Sequence, residues 1–422
     1  MEEKNYADTL GKAFGLYIEK NYANVITPEP IITPTGIRHL DALLGGGIVS
    51  SGPVLLSSTP ETGKSTFAFQ FSSIFQKHYE NSIIVYIDIE SAGTKSNEYR
   101  VSRIDTFGLN NDRFRYQSMT MDVLTLFDLF DKIIKLKIQA EEKLGKEFYV
   151  LIVWDSIAST PSSKTAAAEN PDKIIGTKAR QISFCLDKYM PIFKFNKITF
   201  IGIDQVRADL KIEGPYAPRN EISVGRFKNR DIKAASNIYQ LQHSVQQWLF
   251  LSRGSAITST DGFGIDGWYV EIYSEKNKLA PSQNSINCIF SKSHGIDKFW
   301  SEYVFLQEKT PTEKKIYKED KKLPFPLMIK TSGSYNYLDV LDPNNPEVKY
   351  TSTKFYRKDA KKKYESDEEF RNWFEYALNL SVQNRIINSM FKTVPVSSDV
   401  DDNSELDENS EFISTLETSF ES

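Results

Sequence analysis

Short, continuous apolar runs alternate with longer helical segments between residues 31 and 310. The runs lie at residues 54–56, 83–87, 150–153 and 198–203. Strands covered on both faces of a parallel sheet have this pattern, whereas half-exposed strands alternate apolar and polar residues. Residues 65–79 and 122–144 repeat their apolar positions with the period of a helix. The alternation predicts an α/β core, a mostly parallel twisted sheet flanked by helices, with ligands bound at the carboxyl ends of the strands.

The pattern changes at both ends of the chain and predicts three segments beyond the core of residues 31–310. Residues 1–30 have a helical, partly amphipathic pattern, which Pro28 and Pro30 end. Residues 311–396 combine prolines, short strand-like runs, a basic stretch and an aromatic helical segment, as in a small C-terminal domain. Residues 397–422 are predicted to form an acidic, disordered tail.

Two long polar stretches interrupt the predicted core. Residues 161–177 and 207–233 are rich in Lys, Arg, Gly and Pro, and each follows a predicted strand. Long loops inside a compact domain are usually functional or disordered. Because both follow core strands, we expect them to emerge on the ligand side of the sheet.

The composition is that of a globular protein and excludes several classes. The chain has 422 residues, of which 40% are hydrophobic and 26% are charged. Its two cysteines, Cys185 and Cys288, stand in apolar runs, which favours free thiols in a reducing, cytoplasmic compartment. The sequence predicts no membrane span, no signal peptide and no histidine–cysteine metal cluster.

The net charge of −4 conceals an asymmetry along the chain. Residues 397–422 hold nine Asp or Glu and no Lys or Arg, which leaves 52 basic against 47 acidic residues elsewhere. A basic body with an acidic tail predicts a polyanion-binding surface for which the tail can compete. The alternative is a tail that is only solvated and disordered.

A phosphate-binding loop is the most informative local motif. After the apolar run at 54–56, the chain continues Ser58-Thr59-Pro60-Glu61-Thr62-Gly63-Lys64-Ser65-Thr66 and enters a helical segment. Strand, loop, Gly-Lys-Ser and helix form a cradle whose backbone N–H groups surround nucleotide phosphates. Lys64 is expected to bind the β- and γ-phosphates, and Ser65 to ligate Mg²⁺. A Gly-Lys-Ser tripeptide in an unrelated loop is the alternative.

The cradle departs from its motif at one position. The motif has glycine where this chain has Ser58. A non-glycine residue in a positive-φ conformation costs about 1 kcal/mol or somewhat more. We therefore expect the backbone of this loop to differ in shape.

Polar side chains end three other predicted strands. Asp155 follows four apolar residues and suits Mg²⁺, although it could equally cap the next helix. Asp88 and Glu90 alternate with apolar residues, so they share a face if the strand persists, and a carboxylate there can accept a proton from attacking water. Gln205 could contact the γ-phosphate, although polar residues commonly end strands.

In this order the motifs resemble the RecA family of recombinases. Residues 33–47 look like the family's entry to its ATPase core. By this resemblance Glu90, rather than Asp88, is the catalytic glutamate, and Gln205 is the switch glutamine. The most specific match is Lys276-Asn277-Lys278-Leu279-Ala280-Pro281, in which the family's two lysines reach a neighbour's ATP across a filament interface. Two solvated lysines on an edge strand are the alternative.

Among RecA-like proteins, the phage UvsX type is most similar, through residues 333–335 and 354–360, the aromatic helix and the acidic tail. The resemblance makes the two long loops DNA-binding, with Arg180 and Arg207 as contacts, and makes Tyr99 the residue that stacks on adenine. Further phosphate contacts are expected from charge alone at Lys211, Arg226, Lys228 and Arg230. Ala234-Ala235 stands where the family often has a glycine pair.

The resemblance implies an ATP- and Mg²⁺-dependent recombinase that forms a homo-oligomeric filament on single-stranded DNA. It implies strand exchange with double-stranded DNA, an N-terminal arm between protomers, and mediator and single-strand-binding partners. The location would be the cytoplasm, or the host cytoplasm for a phage protein. A hexameric helicase of the same superfamily and a non-catalytic DNA-binding mediator paralogue are the alternatives.

Overall fold

The computed structural model describes residues 28–90, 96–118, 121–162, 177–208, 232–234, 243–320, 323, 325–342 and 348–391. The strands are β1 (Ile32–Thr33), β2 (Ile48–Val49), β3 (Pro53–Ser58), β4 (Ser82–Asp88), β5 (Phe114–Ser118), β6 (Tyr149–Asp155), β7 (Thr199–Ala208), β8 (Ile232–Ala234), β9 (Gln247–Ile257), β10 (Gly267–Asn277), β11 (Ser285–Ser291), β12 (Gly295–Asp297), β13 (Ile329–Ser332), β14 (Tyr335–Leu341) and β15 (Lys349–Phe355). The α-helices are α1 (Arg38–Leu44), α2 (Lys64–His78), α3 (Ser96–Phe107), α4 (Val123–Leu144), α5 (Thr177–Phe195), α6 (Lys298–Gln307), α7 (Pro311–Asp320), α8 (Ala360–Ser366), α9 (Glu368–Val382) and α10 (Asn388–Phe391). A π-helical turn, Gln383–Ile387, joins the last two.

One large sheet organises the core. Its strand order is β12-β11-β10-β9-β3-β7-β6-β4-β5, and β8 adds to β7. The six strands from β9 to β5 are mutually parallel, whereas β10, β11 and β12 continue the sheet antiparallel. The predicted α/β class and mostly parallel sheet are therefore confirmed.

The apolar runs form strands because both faces of the sheet are covered. In β3, Val54 and Leu56 belong to one hydrophobic cluster, whereas Leu55 belongs to a second cluster on the other face. Ile84 and Val85 divide in the same way in β4. Successive side chains of a strand point to opposite faces, so a doubly covered strand needs apolar residues at every position.

The helices begin and end where the sequence indicates. Asp122 caps α4 by accepting a hydrogen bond from the Thr125 backbone N–H at 2.8 Å, and Gly145 ends the helix with a φ of 63°. Within the described residues, no helix combines the length and the apolar character that a membrane crossing requires.

The described residues after position 310 pack against the core. A three-stranded antiparallel sheet, β13-β14-β15, is followed by the C-terminal helices. The Arg385 guanidinium is fully buried; it pairs with Glu313 at 2.6 Å and donates to the Glu308 carbonyl at 2.8 Å. Phe374 of α9 shares a hydrophobic cluster with Trp300 of α6. The four-part domain division stays a prediction.

His39 of α1 predicts a pH dependence of stability. Its ring stacks on Phe305 with centroids 4.8 Å apart, and its Nε2 lies 3.3 Å from the Asn287 carbonyl. Burial lowers the pKa of His39 to about 3; the Asn287 carbonyl raises it and the Arg385 charge lowers it. The unfolded chain therefore gains the proton first as pH falls below about 6.5, and stability present above that pH is lost.

We expect the free energy of unfolding to fall by about 2 kcal/mol from pH 7 to pH 5 through the contribution of His39 alone. Urea unfolding of wild type and His39→Gln at both pH values isolates this contribution. Asp41, whose pKa burial raises to about 6, acts in the opposite direction in both proteins. Equal pH dependence in the two proteins would show that His39 is not the group responsible.

Candidate active site

The loop between β3 and α2 forms a tight cradle with glycine at its closest contact. Gly63 precedes α2 with a φ of 104°, and a Cβ added there would lie 2.3 Å from the Phe290 ring. A side chain at this position is therefore excluded by both backbone conformation and space. Lys64 and Ser65 begin the helix, so their backbone N–H groups belong to its first turn, which favours anions.

Ser58, where the loop departs from its motif, does not have a positive φ. It is the last residue of β3 and pairs in register with Gln205 of β7 and Leu251 of β9. Among the described residues, the non-glycine positions with positive φ are Glu61, Lys197 and Gln283. The unusual backbone of the loop is thus at Glu61, with a φ of 59°, because β3 carries its extended conformation through Ser58.

The Lys64 ammonium lies in the interior of the cradle. Its side chain is 8% exposed, and its Nζ donates to Ser58 Oγ at 2.8 Å and to the Thr59 carbonyl at 3.1 Å. Burial lowers the pKa of Lys64, while the charges of Asp155, Glu90 and Asp204 raise it. The ammonium therefore stands where the charges of three carboxylates converge.

The carboxyl ends of four neighbouring strands bring the predicted residues to one edge of the sheet. In the order β3-β7-β6-β4, Ser58 pairs with Gln205, Ile203 with Asp155, and Asp155 with Asp88. The apolar parts of these strands fix this register by packing on both faces of the sheet. The cradle, the switch candidate and both carboxylates therefore share one rim.

Asp155 has the environment of a metal-associated carboxylate. It is 5% exposed, and its Oδ2 accepts a hydrogen bond from the Tyr86 hydroxyl at 2.8 Å. Burial raises the pKa of Asp155 to about 6, against hydrogen bonds from Ser65 and Tyr86 that lower it, while the charges of Asp88 and Glu90 raise it further. A hydroxyl and a buried carboxylate in contact are oxygen ligands of the kind Mg²⁺ takes, so Ser65 and Asp155 fit that ion.

Glu90 and Gln205 lie in direct contact across the rim. The Gln205 Nε2 donates to Glu90 Oε1 at 2.6 Å. Asp88 differs from Glu90 in its surroundings: it is buried, and it accepts a hydrogen bond from the Tyr116 hydroxyl. Because β4 ends at Asp88, the two carboxylates do not continue the alternation of one strand, and Glu90 is the exposed one.

Lys276 and Lys278 lie where the parallel strands of the sheet begin, whereas the cradle of the same chain lies where those strands end. β10 runs antiparallel to β9, so Lys276 pairs with Trp248, which pairs with Leu55 near the start of β3. The Lys276 Nζ donates to the His243 carbonyl at 3.1 Å, in the segment before β9. Burial lowers the pKa of Lys276, and the charge of Lys278, two residues along the chain, lowers it further.

The distance from these lysines to the cradle follows from the register. Lys276 is level with Leu55 in the sheet, and Leu55 is three residues before Ser58. This corresponds to about 10 Å along the strands at ~3.3 Å per residue. β10 is also two strands from β3 in the sheet order, about another 10 Å. In the register, Lys276 is therefore about 10 Å from Ser58 along the strands and about 10 Å across them.

The predicted DNA-binding residues are only partly described. Arg180 is exposed in the first turn of α5, directly after the first long loop. Arg207 lies in β7 opposite Lys233 of β8, at the base of the second loop, and Tyr99 lies in α3. The remaining candidates, Lys211, Arg226, Lys228 and Arg230, fall outside the described residues.

Four residues at the rim were not identified from the sequence. The Tyr86 hydroxyl donates a hydrogen bond to Asp155, and the Tyr116 hydroxyl donates one to Asp88. The charge of Asp204 raises the pKa of Lys64, and the Phe290 ring lies against Gly63. Tyr86 stands two residues before Asp88 on β4, so strand alternation alone places it on the same face. Phe290 had no local signal, because it is over 200 residues away from Gly63.

Part of the chain matches a known ATPase family. Residues 33–151, which include the cradle, β4 and Glu90, match the family of KaiC ATPases. DNA repair protein RadA of Aquifex aeolicus is 27% identical over 170 residues, covering 40% of this chain and 33% of that protein. Protein RecA of Syntrophus aciditrophicus is 25% identical over 251 residues, covering 59% of this chain and 63% of that protein.

A third relative matches a shorter stretch of the chain. DNA repair and recombination protein RadB of Thermococcus sibiricus is 31% identical over 126 residues, covering 30% of this chain and 50% of that protein. In all three relatives the match spans less than two thirds of the relative's own length. Residues 33–151 are thus similar to a KaiC ATPase domain, and the relatives at low identity are RecA, RadA and RadB proteins.

Proposed function

We propose that this protein is an ATP-dependent DNA recombinase that forms a filament on single-stranded DNA and exchanges strands with a homologous duplex. The proposal rests mainly on the positions of three lysines, one at the carboxyl ends of the parallel strands and two near their amino ends. Lys64 lies in the cradle, whereas Lys276 and Lys278 form a pair near those amino ends. A head-to-tail filament would place each pair against the neighbour's cradle, because such an interface joins two different faces of the protomer.

The rim residues suggest a division of labour in ATP hydrolysis. Lys64 would bind the β- and γ-phosphates, and Ser65 and Asp155 would hold Mg²⁺, which neutralises phosphate charge when it is bound. Glu90 is the exposed carboxylate, so it would accept a proton from the water that attacks the γ-phosphorus. Water would form a bond to the γ-phosphorus as the bond to ADP breaks, so ATP and water would yield ADP and inorganic phosphate. The Glu90 carboxylate would take up the proton of the water and then release it to solvent.

Gln205 would couple the nucleotide to DNA. It contacts Glu90, and β7 continues beyond it through Arg207 into the second long loop. A shift of Gln205 toward a γ-phosphate would break its hydrogen bond to Glu90. It would also displace the end of β7, which leads into the second long loop. In this proposal DNA contacts come mainly from phosphate-binding cations such as Arg180, so binding is sequence-tolerant and weakens with salt.

Supporting features beyond the rim come from the sequence and the relatives' names. The RadA relative is named a DNA repair protein and the RadB relative a DNA repair and recombination protein, which fits a role in recombination and repair. The proposal also includes the resemblance to the UvsX type and an arm at residues 1–30 that bridges protomers. It includes an acidic tail that competes with DNA for the basic surface, and mediator and single-strand-binding proteins as partners.

Stimulation of ATP hydrolysis by DNA tests the proposed function. We expect single-stranded DNA to raise the hydrolysis rate at low salt, and the stimulation to decline as salt rises because counterions compete for the phosphate contacts. ATPase activity is measured with and without single-stranded DNA across a salt series, with added duplex as a comparison. A rate that single-stranded DNA leaves unchanged at every salt concentration would contradict the proposal and favour a non-catalytic or DNA-independent role.

A further inference from the structure

The hydroxyl of Ser58 lies against the ammonium that the cradle would offer to phosphates. Ser58 is fully buried at the end of β3. Its Oγ accepts a hydrogen bond from Lys64 Nζ at 2.8 Å and donates one to the Thr59 carbonyl at 2.6 Å. The hydroxyl proton is thus engaged with the backbone, and the hydroxyl lone pairs face the ammonium.

The Lys64 ammonium has as many acceptors around it as it has protons. An ammonium donates three hydrogen bonds. Its oxygen neighbours are Ser58 Oγ at 2.8 Å, the Thr59 carbonyl at 3.1 Å and the Ser58 carbonyl at 3.3 Å. To donate to a β- and a γ-phosphate oxygen, Lys64 must give up two of these three bonds.

The Ser58 hydroxyl is the acceptor that depends on the side chain at this position. Glycine, the residue of the phosphate-loop motif, would offer Lys64 only the two carbonyls. The bond to Ser58 Oγ is the shortest of the three, and hydrogen bonds to an ionised donor are stronger than neutral ones. Lys64 is also buried, which makes each acceptor of its charge more important than in water.

We propose that the Ser58 hydroxyl competes with the β- and γ-phosphates of the bound nucleotide for the Lys64 ammonium, and so lowers nucleotide affinity below that of a glycine-bearing cradle. This inference rests on the proposed nucleotide-binding function of the cradle. It concerns nucleoside di- and triphosphates, because a monophosphate lacks the β- and γ-groups that Lys64 would bind. Ser58 is thus a positioning residue that acts through Lys64.

Nucleotide dissociation constants of Ser58→Ala test the inference. With full-length protein and Mg²⁺, we expect the dissociation constants for ATP and ADP to fall about three- to tenfold, because the competing hydrogen bond is removed. The dissociation constant for AMP should stay unchanged. Ser58→Gly provides a second variant with the same expected result, so the test does not depend on one substitution being tolerated.

Ser57→Ala is the matched control. Ser57 is also fully buried in β3, but its Oγ accepts a hydrogen bond from Trp248 Nε1 at 2.8 Å rather than from Lys64. We expect this variant to keep the wild-type ratio of ATP to AMP affinity. Weaker or unchanged ATP and ADP binding in both Ser58 variants would overturn the inference. Absence of ATP and ADP binding by the wild-type protein would instead overturn the proposed function of the cradle.

Discussion

Glu90→Gln is expected to reduce ATP hydrolysis by about 100-fold or more while leaving ATP and DNA binding intact, because it removes the general base. The substituted amide keeps an oxygen that can accept the 2.6 Å hydrogen bond from Gln205 Nε2. The rim geometry is therefore conserved, and the change is confined to the ability to take a proton. Single-turnover hydrolysis and nucleotide titration on the same preparation separate the two effects.

The control for this prediction is a carboxylate outside the rim. Glu98 is exposed in the first turn of α3, and Glu98→Gln removes one negative charge without touching the rim. We expect its hydrolysis to match wild type. Wild-type turnover in Glu90→Gln would exclude Glu90 as the base. The next candidate would then be Asp88, the buried carboxylate at the end of β4.

Mixing two inactive variants is expected to restore activity if Lys276 and Lys278 act on a neighbour's site. Lys64→Ala lacks a working cradle, and the double variant Lys276→Ala, Lys278→Ala lacks the lysine pair. We expect each alone to hydrolyse ATP poorly. In a random one-to-one filament, about a quarter of head-to-tail interfaces join an intact cradle to an intact lysine pair, so about a quarter of wild-type activity should return.

A second mixture controls for this result. Lys64→Ala mixed with Glu90→Gln combines two defects in the same half of the site, because both residues lie at the rim of one chain. No interface in that mixture has a complete site, and no activity should return. Equal recovery in both mixtures, or none in either, would contradict a site shared between protomers.

The sequence predicts the rim well because strand ends carry strong local signals. Four apolar runs ended by Ser58, Asp88, Asp155 and Gln205 are sufficient to place these side chains near one another, since parallel strands end at one edge. The strand bounds extend a few residues beyond the predicted runs. The burial of both sheet faces also follows from the unbroken apolar pattern.

Other features depend on contacts between distant residues, which a local pattern does not contain. The Phe290 ring against Gly63 and the Tyr86 hydroxyl on Asp155 are set by how strands stack in register. The position of the positive φ in the phosphate loop depends on such contacts as well. The strand pairing with Gln205 holds Ser58 in an extended conformation, and the positive φ of the loop is at Glu61.

Strand exchange is the central claim, and a homology-dependent transfer assay tests it most directly. Single-stranded DNA is coated with the protein in the presence of ATP and Mg²⁺ and then given a labelled duplex of matching or unrelated sequence. We predict that a strand of the homologous duplex is transferred, that the unrelated duplex yields no product, and that the Lys276→Ala, Lys278→Ala double variant yields none with either. Failure to transfer a strand from the homologous duplex, or equal transfer from both duplexes, would contradict the account.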